Sequence, residues 1–342
     1  MRFRVPDTAA AGRARLSLEQ YKDGVLSGDR AVLAQAITLI ESHLPADGAL
    51  AGRLLDGILP HAGNSRRIGI TGVPGVGKST FIDALGMFLV RERGERVAVL
   101  SVDPSSPISG GSILGDKTRM ERLSVEERAF IRPSPSRGHL GGVAPRTREA
   151  ILLCEAAGYR NILVETVGVG QSETAVRSMT DFYLLLILPG AGDELQGMKR
   201  GIIEMIDGIA ITKADGDNQR RAERARIEYS AALRLFPAPA DGWTPRVLTC
   251  SALTEEGVRD IWQMMLDHQE QLGAGGHVAA RRSRQNLEWM RELVSFGLDG
   301  LWRGDSAVRR RLPDLTEAVR QGLVTPFAAS RELLSLFHSR EK

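Results

Sequence analysis

Cysteine, histidine, net charge and long apolar runs are all scarce in this chain, and each scarcity removes a class of protein. The 342 residues contain two cysteines, Cys154 and Cys250. Both sit in apolar settings and read as small buried hydrophobes. No disulfide framework follows, and a reducing cytoplasm is the expected compartment. The six histidines are scattered, with no tight His/Cys ligand cluster, so a structural zinc site is not expected. The formal net charge is only +3, and the excess is spread out, which leaves no electrostatic footprint for nucleic acid. No apolar run approaches the roughly 18 residues of a membrane span. "FYLLLIL" at 182–188 is far shorter and reads as a buried strand. The opening "MRFRVPDTAAAGRARLSLEQY" lacks the apolar core of a secretory signal. Neither a membrane nor a nucleic-acid partner is expected, and no internal repeat is visible.

What is present is the composition of an ordinary globular protein, 42% hydrophobic and 25% charged. The length suits one main domain of about 200 residues with extensions. Residues 15–60 space their apolar positions by three and four and read as helices. "HAGNS" at 61–65 is a turn-rich break. Six apolar runs follow: "RIGIT", "RVAVLSVD", "NILVETV", "DFYLLLIL", "DGIAIT" and "RVLTCSA". They do not alternate, and helical stretches separate them, which is the pattern of parallel strands buried on both faces. The expected fold is α/β, with a mostly parallel, doubly wound sheet. It divides into an N-terminal helical extension over 1–62, the α/β domain over 63–272 and a helical arm over 273–342. The arm is charged, is interrupted by Pro313 and Pro326, and looks too thin in apolar residues for a core of its own. Self-association is its expected use.

The strongest motif is "RIGITGVPGVGKSTFIDAL", in which Gly72, Gly77, Lys78 and Ser79 match G-x-x-x-x-G-K-S/T between an apolar strand and an amphipathic helix. Glycine lets backbone N–H groups curl around phosphate oxygens, and the helix that follows adds its positive dipole end. The segment Gly72, Val73, Pro74, Gly75, Val76, Gly77, Lys78, Ser79 and Thr80 is therefore the expected phosphate loop. Lys78 would reach the β- and γ-phosphates, and the Ser79 hydroxyl would ligate Mg2+.

The base is addressed farther along. "IAITKAD" ends a strand on Thr212-Lys213-Ala214-Asp215, an N/T-K-x-D motif. The Asp215 carboxylate can accept two hydrogen bonds from guanine N1–H and its exocyclic amine, which adenine does not offer. An unpaired buried acceptor costs about 1–3 kcal/mol, so guanine is favoured. The Lys213 stem would cover the ring. In "TCSALTEEG", Ser251-Ala252-Leu253 stands where a GTPase backbone N–H contacts guanine O6.

On the metal side, "NILVETVGVGQSE" places Glu165 at a strand end and Gly168 three residues later. Glu165 would hold Mg2+ through water, and the Gly168 N–H would meet the γ-phosphate. Small GTPases commonly place Asp first and Gln directly after the glycine. Here the second position is Val169, which cannot orient water, and Gln171 lies two residues farther on. Slow intrinsic hydrolysis, or a water held by another segment, is expected. Asp103, at the end of its strand, and Asp116, in the loop "SVDPSSPISGGSILGDKTRM", are candidates for metal or water; Lys117 and Arg119 follow as movable charges. A second Gly/Pro-rich loop, "PSPSRGHLGGVAPRTRE", carries His139, which reads as solvent-facing.

With "GITGVPGVGKST", "VDPSSPISGGSILGDKTRM", "VETVGVGQSE", "GDELQGMKRGI" and "ITKAD" together, the chain resembles the MeaB/ArgK family of P-loop GTPases over nearly its whole length. The resemblance implies a Mg2+-dependent homodimeric enzyme that hydrolyses GTP to GDP. Its partner would be adenosylcobalamin-dependent methylmalonyl-CoA mutase, whose cofactor loading it gates and which it protects from inactivation. It also implies a third switch over about 188–199, with Asp193, Glu194, Gln196 and Lys199 as the partner-reporting residues. Thr212, where Asn is commoner, is a mild departure. The alternative is a metal-insertion GTPase of the hydrogenase or urease kind, against which stand two cysteines with no nearby histidine. A small-molecule kinase would favour ATP, against which the Thr-Lys-Ala-Asp motif stands; older labels of the family as transport kinases find no support here.

Overall fold

The computed structural model describes residues 15–42, 44–103, 120–135, 146–166, 172–190, 204–236 and 241–338. The chain divides into two compact units, Met1–Val278 and Ala279–Lys342.

Three helices open the first unit. Helix α1 (Leu18–Leu26) begins at a capping box, in which the Ser17 hydroxyl accepts from the Gln20 N–H and the Gln20 side chain accepts from the Ser17 N–H. Helix α2 (Arg30–Ile40) begins at Asp29, whose carboxylate accepts from the Ala31 and Val32 N–H groups. Helix α3 (Pro45–Ile58) carries proline in its first turn, where no N–H is needed. Their buried stripes, including Val25, Leu33, Ile37, Leu54 and Ile58, share one core with the sheet.

Among the described residues seven strands form that sheet: β1 (Arg66–Gly72), β2 (Val97–Asp103), β3 (Ala129–Pro135), β4 (Asn161–Thr166), β5 (Phe182–Ile187), β6 (Gly208–Ile211) and β7 (Arg246–Thr249). All pair in parallel, in the order β3-β2-β4-β1-β5-β6-β7. Helices α4 (Lys78–Arg91) and α9 (Val258–Ala274), with the single turn α5 (Glu121–Ser124), cover one face. Helices α6 (Thr147–Ala156), α7 (Ser172–Arg177) and α8 (Gln219–Leu233) join α1–α3 on the other. Along β2, Val97 and Val99 face α4 while Ala98, Leu100 and Val102 face the opposite core. Both faces need apolar residues, so the strands do not alternate.

Six strands coincide with the apolar runs. The seventh, β3, is "AFIRPSP", with only three leading apolar residues and two prolines. Among the described strands it lies at the sheet edge and pairs with β2 alone, where a missing proline N–H is tolerated.

The second unit contains most of α10 (His277–Gly304), then α11 (Ser306–Arg320) and α12 (Pro326–His338). Contrary to the expectation from composition, it builds a small core: Val308, Leu315, Ala329 and Leu333 pack together, with Trp302, Leu312 and Phe337 against them. Helical spacing concentrates few apolar residues on one stripe, which a count of them does not reveal. Pro313 lies within α11, and Pro326 begins α12.

Candidate functional site

Strand β1 ends on Gly72 with φ +151°, where an added Cβ would lie 2.6 Å from the Leu186 carbonyl oxygen of β5. Only glycine lets the two backbones come so close. The loop turns through Val73, Pro74, Gly75 and Val76 to Gly77, which caps α4 in the left-handed region at φ +95°. Lys78 folds back over the loop, its Nζ donating to the Gly72 carbonyl at 2.7 Å and the Val73 carbonyl at 3.3 Å. Ser79 follows on the first turn, and its Oγ donates to Glu165 Oε1 at 3.1 Å. Glu165 is buried near the end of β4. The phosphate loop and Glu165 therefore meet at the carboxyl edge of the sheet, where a doubly wound fold places ligands.

A cleft of about 280 Å³ opens beside the loop. Its wall includes Val76, Gly77, Thr80, Lys213, Asp215 and Leu253. Thr212 Oγ1 contacts two carbonyls, of Val76 at 2.8 Å and Ile187 at 3.2 Å, and so ties the phosphate loop to β5 and β6. Lys213 stands at φ +53° and its Nζ donates to the Gly75 carbonyl at 3.0 Å. Its stem thereby lies along the cleft. The Ser251 hydroxyl donates to Asp215 Oδ2 at 2.5 Å and accepts from the N–H groups of Leu253 and Thr254. Those two N–H groups are thus committed, whereas the Ala252 N–H donates to no described acceptor. Of the three residues from 251 to 253, Ala252 is accordingly the candidate for a base carbonyl. The Leu253 side chain is 81% exposed at the cleft's lip.

Sequence reading did not single out Phe81 or Asn218, which also line the cleft. Asn218 closes the short 3-10 turn Gly216–Asn218 directly after Asp215, and only that turn brings it there. Cys250 precedes Ser251, and burial pushes its thiol up to about 12, which makes it a packing residue. Cys154 is likewise buried, with its thiol raised by burial.

Asp103 ends β2, one step past the Val102–Thr166 pair, so its backbone reaches the same edge as Glu165. Its side chain lies outside the described residues, as do Asp116, Lys117, Arg119, His139, Gly168, Val169, Gln171, Asp193, Glu194, Gln196 and Lys199. Among the described residues no three His, Cys, Asp or Glu side chains gather as a metal cluster, and no helix is long and apolar enough to cross a membrane.

An all-parallel sheet with a glycine-lysine-serine loop after β1, an acid near the end of β4 and a Lys-x-Asp cleft after β6 defines a P-loop GTPase. The chain belongs to the MeaB family, described as methylmalonyl Co-A mutase-associated GTPase, whose model matches residues 33–302. It is 54% identical over 265 residues to the GTPase ArgK of Escherichia coli, covering 78% of this chain and 80% of that one. It is 46% identical to the mitochondrial methylmalonic aciduria type A homolog of Mus musculus, covering 94% of this chain and 80% of the relative. A solved structure titled as a LAO/AO transport system kinase superposes with a TM-score of 0.74 at 40% identity, covering 94% of this chain and 98% of that one.

Proposed function

We propose that this GTPase binds GTP with Mg2+, hydrolyses it to GDP, and serves in the cytoplasm as chaperone of an adenosylcobalamin-dependent methylmalonyl-CoA mutase. It would gate loading of the cobalamin cofactor and protect the mutase from inactivation. The observation that carries the nucleotide half is the Asp215–Ser251 pair in a cleft beside the phosphate loop. Asp215 accepts from guanine, Ala252 donates to its O6, and the Lys213 stem and Leu253 flank the ring. Backbone N–H groups from Gly75 to Thr80 receive the phosphates, and Lys78 exchanges its carbonyl contacts for phosphate oxygens. The Ser79 hydroxyl and the Glu165 carboxylate are hard oxygen donors of the kind Mg2+ takes, with Asp103 and Asp116 as further candidates. Held by these residues, the ion would supply positive charge against the phosphates. The Gly168 N–H is assigned to the γ-phosphate.

The mutase-associated description of the family and the name of the mouse relative support the partner. The segment 188–199, with Asp193, Glu194, Gln196 and Lys199, is assigned to reporting the nucleotide state to it. The exposed apolar stripe of α10 is assigned to a second copy of this chain, giving a homodimer.

The test is a pull-down with a methylmalonyl-CoA mutase, run with a non-hydrolysable GTP analogue, with GDP and with an ATP analogue. Capture that depends on the guanine nucleotide is expected. Nucleotide-independent capture, or none, overturns the chaperone reading.

A further inference from the structure

Ser101 is a buried hydroxyl with no hydrogen-bond partner among the described residues, placed beside Glu165. It lies on β2 and is 1% exposed, and its Oγ bonds to none of the described residues. Such burial is costly unless something eventually answers it. The parallel register sets Ser101 directly opposite Glu165 on β4. Two residues earlier on these strands, Val99 and Leu163 both pack in the cluster that holds α4. The adjacent Leu100, Val102 and Val164 pack on the other face. Strand alternation therefore turns Ser101 and Glu165 the same way, toward α4 and Ser79. Ser79 already donates to Glu165 Oε1 at 3.1 Å. A carboxylate has room for several donors, so that bond does not exhaust it.

We propose that Ser101 is a positioning residue for Glu165: with nucleotide and Mg2+ bound, its hydroxyl donates to the Glu165 carboxylate and sets the orientation of that side chain. Glutamate carries one methylene and one torsion more than the aspartate usual at this position in small GTPases. A second donor on the neighbouring strand removes that freedom. The inference rests on the reading of Glu165 as the metal-side acid. The bland alternative is that Ser101 is merely a small residue beneath α4, a place alanine would fill as well.

The test measures release of a fluorescent GDP against Mg2+ concentration, and GDP affinity in EDTA, for Ser101→Ala, Ser101→Thr and Glu165→Gln. Ser101→Ala is expected to raise the half-effective Mg2+ concentration by about tenfold, as loss of a hydrogen bond to a charged group does. Its GDP affinity in EDTA should stay unchanged, and Ser101→Thr, which keeps the hydroxyl, should track the parent. If Glu165→Gln shifts the Mg2+ dependence and Ser101→Ala does not, the role of Ser101 is overturned while Glu165 keeps its own. If neither shifts it, the metal-side reading of Glu165 fails and the proposal falls with it. Equal weakening by Ser101→Ala with and without Mg2+ marks a packing role and also overturns it.

Discussion

Under the proposed function Asp215 is both a structural acceptor and a reader of the base. Its Oδ2 accepts a hydrogen bond from the Ser251 hydroxyl at 2.5 Å, which fixes the carboxylate plane and couples two strand ends. Asp215→Asn keeps an acceptor for Ser251 but presents an amide donor toward guanine N1–H. Titration of the variant should show GTP affinity falling by more than about tenfold and XTP affinity rising, because xanthine offers a carbonyl where guanine offers an amine. Unchanged GTP affinity removes Asp215 from base recognition. At this scale the tetrapeptide was legible because its four residues are consecutive. Asn218 was not, since a polar residue in a turn has no signature until the turn aims it. Nor was the split of duties in Ser251-Ala252-Leu253, which depends on the Ser251 hydroxyl drawing in two N–H groups.

Between elements, one carboxylate fastens α6 to β1 and to the turn before it. Glu155 accepts from Arg67 Nε at 2.8 Å, Arg67 Nη2 at 2.9 Å, Ser65 Oγ at 2.6 Å and the Gly63 N–H at 2.7 Å. Burial alone pushes its carboxyl up, but Arg67, Ser65 and Gly63 together outweigh that and hold it below the ordinary value near 4.5. A lowered folded value means that the ionised form is stabilised by folding. That stability is fully present above about pH 4.5 and is lost as pH falls through the folded value. Glu149 runs the other way, since burial raises its carboxyl, so the parent curve alone is ambiguous. The clean measurement is the difference in urea midpoint between the parent and Glu155→Gln. It should be large at pH 7 and shrink steadily as the solution is acidified below about pH 4.5. A difference independent of pH refutes the assignment. Most elements were legible from apolar spacing. Strand β3 was not, because proline ordinarily argues against a strand and only its place at the sheet edge makes it acceptable.

On the scale of the whole molecule, α10 leaves a stripe uncovered. Leu287, Met290, Val294, Leu298 and Leu301 are exposed and recur at three- and four-residue steps. So narrow a seam suits a second helix of the same kind and is unusual as a surface facing water. If the proposed homodimer forms through this stripe, replacing Val294 and Leu298 together with Glu should convert it to monomer in sedimentation velocity, while basal GTP hydrolysis persists. A monomeric parent, or a dimer indifferent to the change, rules the stripe out as the interface. The small core of α11 and α12 was missed because scarcity of apolar residues says nothing about whether they share a face.

From sequence alone came the phosphate loop, the Thr-Lys-Ala-Asp tetrapeptide, the α/β class and the family, because short consecutive patterns carry each of them. Tertiary structure alone decided which of these pieces touch. Ser79 meets Glu165 across 86 residues of chain, Thr212 meets the Val76 carbonyl across 136, and Ser101 faces Glu165 only through the register of two strands. Strand order and register are set by packing both faces of a sheet at once, a condition that no local stretch of sequence contains.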